Sequence, residues 1–344
     1  MSRQPSRRLF SRSLAIESLE PKQMLAGDVT VSQVGANLFI QGDDLANQLV
    51  ITSGEATGSY LIRGLEGTTV TLEGSSTPAP ETGLVVTGVR GFVNVNTGDG
   101  DDEVTIEDAK FRLGLTVATG EGNDDVVVQD TKVGGALSIL TGAGDDSVQV
   151  GVAATSESAL ATTASAASVQ GGFAIDILLG DGADTADVHN ASAIGSIVVG
   201  GGLGPDQIDV SDVRTAALIL RGGDGDAADE IDVARAKAFA AVIGTGAGAD
   251  RVGIVDSAFT SLNVALGSGD DDLSLQKVKA RVAVLAGGEG AGDEYTDAGE
   301  NSLSRVVITG FELPEGVNTP ARNAFPRFAD LLSGLSGVIS RLLR

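Results

Sequence analysis

The chain has 344 residues, 48 of them glycine, and a net charge of -24 at neutral pH. It contains no cysteine, one histidine and only 3% aromatic residues, which excludes a disulfide framework, a thiol nucleophile, a cysteine zinc site and a multi-histidine metal centre within one chain. The acidic surplus argues against nucleic-acid binding by phosphate neutralisation, and no run of 18 apolar residues suggests a transmembrane helix.

Residues 1–27 are basic. Arg3, Arg7, Arg8, Arg12 and Lys22 outweigh Glu17 and Glu20, giving a net charge of +3. Residues 317–344 also carry +3, so the body between them, 28–316, carries -30. Such asymmetry marks domain boundaries and separate tasks for tails and body. The first segment is expected to be an export or targeting segment, mostly disordered, lacking the apolar core of a secretory signal. Its Leu19-Glu20-Pro21-Lys22-Gln23-Met24-Leu25-Ala26-Gly27-Asp28 stretch resembles the LEPR-XLL motif of large exported bacterial proteins. Lys22 stands where that motif has arginine, and Met24 replaces one of its leucines. The resemblance covers about 15 residues near the N-terminus and implies a secreted or cell-surface bacterial protein; it does not imply any catalytic activity.

Residues 28–92 alternate in short runs, VTVSQV, NLFIQG, NQLVITS, SYLIRG and TTVTLEG, broken at Gly42-Asp43-Asp44 and Gly64-Leu65-Glu66-Gly67. Period-2 alternation with turn residues between predicts strands. These form a small β-rich N-terminal cap, partly antiparallel.

From 93 to 316 the chain repeats. A Gly-x-Gly pair starts at Gly98, Gly120, Gly142, Gly180, Gly202, Gly223, Gly246, Gly267 and Gly288. Apart from one interval of 38, the spacing is 21–23 residues; the long interval holds a low-complexity insertion at 153–168. After each loop comes an alternating strand, such as Val104 and Ile106 or Val126 and Val128, then a polar stretch, then a second strand, such as Leu115 and Val117 or Leu137 and Ile139. One such unit cannot bury its apolar face alone, so the units must stack. The expected fold is all-β: a single-stranded parallel β-solenoid (β-helix) of about nine coils, a rod roughly 43 Å long at ~4.8 Å per coil. A βαβ crossover sheet is disfavoured, because no helical period separates the loops.

Seven loops read Gly-x-Gly-x-Asp without a gap, and two carry insertions. The aspartates are Asp102, Asp124, Asp146, Asp184, Asp206, Asp229, Asp250, Asp271 and Asp293. Over residues 98–295 the pattern resembles the RTX, or hemolysin-type, calcium-binding repeat. RTX repeats are nine residues long and occupy both edges of a β-roll; here one loop recurs per coil, so only one edge would carry sites. Stacking brings equivalent carboxylates within ~4.8 Å, where unit charges repel by roughly 0.9 kcal/mol even in bulk water. Calcium, which accepts carboxylates and turn carbonyls in loose geometry, reverses that repulsion. The nine aspartates are therefore the expected metal ligands, with Ca2+ as the cofactor. The competing reading is that Gly and Asp simply form tight turns with a solvated acidic surface.

His189, in ADVHNAS, has no nucleophile pattern beside it and is read as a surface turn residue. Residues 317–344 form a tail in which Phe328, Leu331, Leu332, Leu335, Val338, Ile339, Leu342 and Leu343 predict an amphipathic helix. That helix is expected to cap the solenoid, with a membrane-surface or partner-binding role as the alternative. The functional expectation is a non-catalytic, exported structural or adhesive protein whose partners are calcium and a cell-surface polysaccharide or another surface protein. The alternative is a β-helical polysaccharide-binding or polysaccharide-cleaving protein.

Overall fold

The computed structural model describes residues 26–152, 168–223 and 225–312. The basic N-terminal segment with its LEPR-XLL-like stretch, nearly all of the 153–168 insertion and the expected C-terminal helix lie outside the described residues. What is described is all-β: thirty strands and no helix. They form two sheets, of 18 and 12 strands.

One coil illustrates the rest. β8 (Glu103–Glu107) lies in the smaller sheet; β9 (Lys110–Phe111) and β10 (Leu115–Glu121) lie in the larger one. β8 pairs in parallel with Asp125–Gln129, one coil later, and β10 pairs in parallel with Ala136–Ala143. The same step carries the smaller sheet through nine coils to Glu294–Asp297. The parallel β-solenoid expected from the repeat is therefore the observed fold.

Its interior is built by registered ladders. Val104, Val126, Val148, Ala186, Ile208, Ile231, Val252, Leu273 and Tyr295 stack one above another. All are buried, as are the facing Leu115, Leu137, Ile175, Ile197 and Leu218. Alternation puts every second side chain inward, and β-branched residues fit that pleated surface. The corner after the smaller-sheet strand is made by one residue in the left-handed region: Asp108, Asp130, Asn190, Asp212, Arg235, Asp256 and Lys277, with φ between 46° and 55°. The 153–168 insertion enters at this corner, between Val152 and Val169.

The first strands continue the same two sheets. β2 (Asn37–Gln41) pairs in parallel with β7 (Val93–Asn96), and β3 (Gln48–Ser53) with β8. Around them β1 (Asp28–Val34) pairs antiparallel with β2, and β4 (Tyr60–Gly64) antiparallel with β3. Short strands β5 (Thr69–Leu72) and β6 (Leu84–Val86) complete this end. Antiparallel hairpins here cover the first coil, whose open edge would otherwise be a template for pairing with other chains. Tyr60 lies over Phe111 with ring centroids 5.1 Å apart and sends its hydroxyl to the Lys110 carbonyl.

Candidate functional site: the glycine-aspartate corner

The corner leading from the larger sheet to the smaller one carries the repeat motif. Both glycines of the first loop have positive φ, 104° at Gly98 and 116° at Gly100. Stacking adds a second demand for glycine. A Cβ built on Gly202 would lie 1.8 Å from the carbonyl oxygen of Gly180, one coil earlier.

The tight corner interrupts the coil-to-coil backbone ladder for two residues. Gly122 N–H still donates to the Ala143 carbonyl at 2.8 Å, and Asp125 N–H to the Asp102 carbonyl at 2.8 Å. Between them, the amides of Asn123 and Asp124 find side chains. Asn123 N–H donates to Asp101 Oδ1 at 2.9 Å, and Asp124 N–H to Asp146 Oδ1 at 2.9 Å. The side chains replace missing carbonyls; for the buried Asp124 amide, going without an acceptor would cost roughly 1–3 kcal/mol.

All nine aspartates singled out from the sequence fall in this inner ladder. Asn47 N–H starts it, donating to Asp102 Oδ1 at 2.7 Å. Then the amides of Asp102, Asp124, Asp146, Asp184, Asp206, Asp229, Asp250 and Asp271 each donate to Oδ1 of the next aspartate, at 2.8–3.2 Å. Asp229 and Asp293 hold the same place despite the extra residues in their loops, which bulge rather than shift the register. The nine side chains are at most 4% exposed.

The second carboxylate oxygen has a different environment. In Asp102, Asp124, Asp146, Asp184, Asp206, Asp250, Asp271 and Asp293, Oδ2 is buried without a hydrogen-bond partner among the described residues. Burial disfavours the charged form. It pushes Asp102 and Asp206 up to about 7, and Asp124, Asp184, Asp229 and Asp271 up to about 6. Asp146 is raised by the same cause. The donated amides pull the other way.

A second row runs on the outside of the corner, one residue earlier. Asp101 accepts from Asn123, Asn123 Oδ1 from Asp145 at 2.8 Å, and Asp145 Oδ1 from Ala183 at 2.9 Å. These side chains, with Asp99, Glu121, Asp181 and Asp270, face solvent. Sequence reasoning singled out one aspartate per loop and did not separate inner from outer positions. Asp or Asn precedes the ladder aspartate in four coils, at Asp101, Asn123, Asp145 and Asp270, and Ala, Pro or Gly in the other five, so the sequence pattern alone does not mark the outer row.

For a metal, the two rows offer different donors. Inner Oδ1 atoms are committed to amides, and one enclosed Oδ2 per coil is far from the six to eight oxygens that calcium takes. The outer carboxylates retain oxygens toward solvent.

No family model, curated protein or solved structure matches this chain.

His189 is not in a turn. It is the last residue of the strand Thr185–His189 and is 7% exposed, with Nδ1 2.7 Å from Ser211 Oγ on the next coil. The left-handed corner falls one residue later, at Asn190, so the strand runs on through the histidine. A groove of about 530 Å³ on the larger sheet lies over Gly200, Gly201, Gly222 and Gly244, flanked by Leu178, Leu203 and Arg221.

Proposed function

We propose that the chain is a non-catalytic structural or adhesive rod of an exported or cell-surface protein, with calcium held along the outer row of its glycine corner. The observation that carries this reading is the uniformity of the corner. Every coil spends its aspartate on the same task, stitching to the coil before it, and among the described residues no coil turns its corner aspartate to another use, as a catalytic site at this edge would need. Rods of this kind transmit length and stiffness and present repeated faces.

The calcium part rests on the outer carboxylates Asp99, Asp101, Glu121, Asp145 and Asp181, which sit on successive coils with oxygens toward solvent. A hard divalent ion relieves their repulsion and accepts irregular oxygen geometry. The ion is abundant outside cells, so binding there would couple rigidity to export.

The polysaccharide reading has less support. Its groove on the larger sheet contains one arginine and no aromatic ring, and sugar recognition draws on such platforms.

The test is thermal melting followed by far-UV circular dichroism, in chelator and then in millimolar calcium. The proposal expects a higher Tm with calcium, and substitution of Asp101 and Asp145 by Asn to abolish the rise. An unchanged Tm removes calcium from the proposal. Hydrolysis or cleavage of a polysaccharide panel by the purified chain would overturn the non-catalytic reading.

A further inference from the structure

The outer face of the smaller sheet carries one feature that does not repeat. Reading across the strands at one position, the residues are Thr105, Val127, Gln149, Asp187, Asp209, Asp232, Gly253, Ser274 and Thr296. Three consecutive coils have aspartate and the other six have no acid. This is a local cluster, unlike the periodic acids of the corner.

Beside it stands the only histidine of the chain. His189 pairs with Ser211 in the same register that pairs Asp187 with Asp209. One ligand atom each from Asp187, His189 and Asp209 lie within 4.8 Å of one another. The imidazole is nine-tenths buried, and its Nδ1 is engaged by Ser211 Oγ at 2.7 Å. Fixing one ring nitrogen through a hydrogen bond orients the ring and leaves the other nitrogen for a ligand. No partner for that second nitrogen occurs among the described residues.

The carboxylates crowd one another, and the two arginines near them are each ion-paired with a different acid. Asp187, Asp209 and Asp232 stand ~4.8 Å apart across adjacent coils, where each pair repels. Arg235 binds Asp212 at 2.7 Å and Arg251 binds Glu230 at 2.9 Å. The Asp232 carboxylate leans over Gly253. A Cβ at position 253 would lie 2.2 Å from Asp232 Oδ1, so Gly253 leaves room for that carboxylate.

We propose that Asp187, His189 and Asp209 bind a divalent transition-metal ion of the zinc class on the outer face of the smaller sheet, with Asp232 beside it as an added negative charge. The mixed nitrogen and oxygen donor set selects against calcium, which takes oxygen ligands, and for ions that accept imidazole. Three protein ligands leave an open position for water or for a ligand from a second molecule. The site is independent of the calcium proposal, since it shares no residue with the corner.

A single histidine makes the test direct. The untagged, 15N-labelled full chain is titrated with zinc chloride, and the imidazole nitrogens are followed by long-range proton-nitrogen NMR. Zinc at micromolar concentration is expected to move one imidazole nitrogen to its metal-bound shift, and millimolar calcium to leave both in place. Asp187→Asn and Asp209→Asn each weaken zinc binding by about tenfold or more, while His189→Gln removes the tight component seen by calorimetry. Far-UV circular dichroism and the melting temperature report whether each variant is folded. An imidazole that does not shift at saturating zinc, or an Asp209→Asn variant that is folded and binds as tightly as the parent, overturns the proposal. A calcium-dependent Tm with an unshifted imidazole would reject this site and leave the corner proposal standing.

Discussion

Asp101 and Asp102 are adjacent in the chain and hold opposite neighbours. Asp101 Oδ1 accepts the amide of Asn123, one coil later, at 2.9 Å, whereas Asp102 Oδ1 accepts the amide of Asn47, one coil earlier, at 2.7 Å. Consecutive side chains on an extended corner point to opposite faces, so one lies outside and one inside. Together they clamp a coil from both sides, at the place where backbone-to-backbone pairing is lost.

The first consequence concerns Asp206, whose Oδ1 accepts the Asp184 amide at 3.1 Å. Asp206→Ala leaves that buried N–H without an acceptor and opens a small void. The expected loss is roughly 1–3 kcal/mol. Asp206→Asn keeps the acceptor oxygen and removes the buried charge. Urea unfolding in chelator at pH 8 should show the Asn variant at least as stable as the parent and the Ala variant clearly weaker. An Ala variant equal to the parent would mean that the ladder bond contributes nothing.

The second concerns pH. The folded values of about 7 at Asp206 and Asp102, and about 6 at Asp124, Asp184, Asp229 and Asp271, lie above the ordinary 3.8. The folded chain therefore holds protons that the unfolded chain has released. This contribution to stability is complete below the ordinary value and is lost as pH rises through about 6–7. In chelator, Tm should fall between pH 5 and pH 8. The exposed acids repel one another in the same direction, so a control is needed: Asp206→Asn should narrow the difference between the two pH values. A Tm that rises from pH 5 to pH 8 would contradict the buried, proton-holding ladder.

Much of this was legible in the residues. The repeat period gave the coil, and alternation gave the inward faces, because both follow from a strand's two-residue period. The motif aspartates were found, including Asp229 and Asp293 behind their insertions. Their orientation was not legible. Composition shows carboxylates crowding at an edge, but only the geometry of a corner with two unpaired amides turns one of each pair inward. Asn47 was missed for a related reason: its loop, Gly42 to Asn47, lacks the second glycine, yet it feeds the ladder. The cluster around His189 was also hidden. It joins Asp187 to Asp209 across 22 residues, and it becomes visible only when the coils are placed in register.

The third prediction separates two costs of replacing glycine. At Gly202, φ is 133° and a Cβ would lie 1.8 Å from the Gly180 carbonyl oxygen. At Gly35, φ is 64° and nothing lies within 4 Å of a Cβ. Gly35→Ala should cost about 1 kcal/mol, the penalty of the left-handed backbone alone. Gly202→Ala must also push two coils apart, and a loss of at least about 3 kcal/mol is expected. Equal losses in chemical unfolding would show that coil contact at the corner is not what requires glycine.

The left-handed column on the other corner supplies a stabilising change. Asp, Asn and Gly tolerate this conformation better than other residues, and most coils use Asp or Asn. Lys277, with φ 53°, is exposed and makes no ion pair among the described residues. Lys277→Asn should therefore raise stability by about 1 kcal/mol. Arg235 has the same φ of 53° but binds Asp212 through both Nε and Nη2, at 2.9 and 2.7 Å. Arg235→Asn gains the same backbone relief and loses that exposed pair, which is worth about 1 kcal/mol at most. It should change Tm little at low salt and raise it at high salt, where the pair is screened. If Lys277→Asn lowers Tm, the backbone strain assigned to this column is absent.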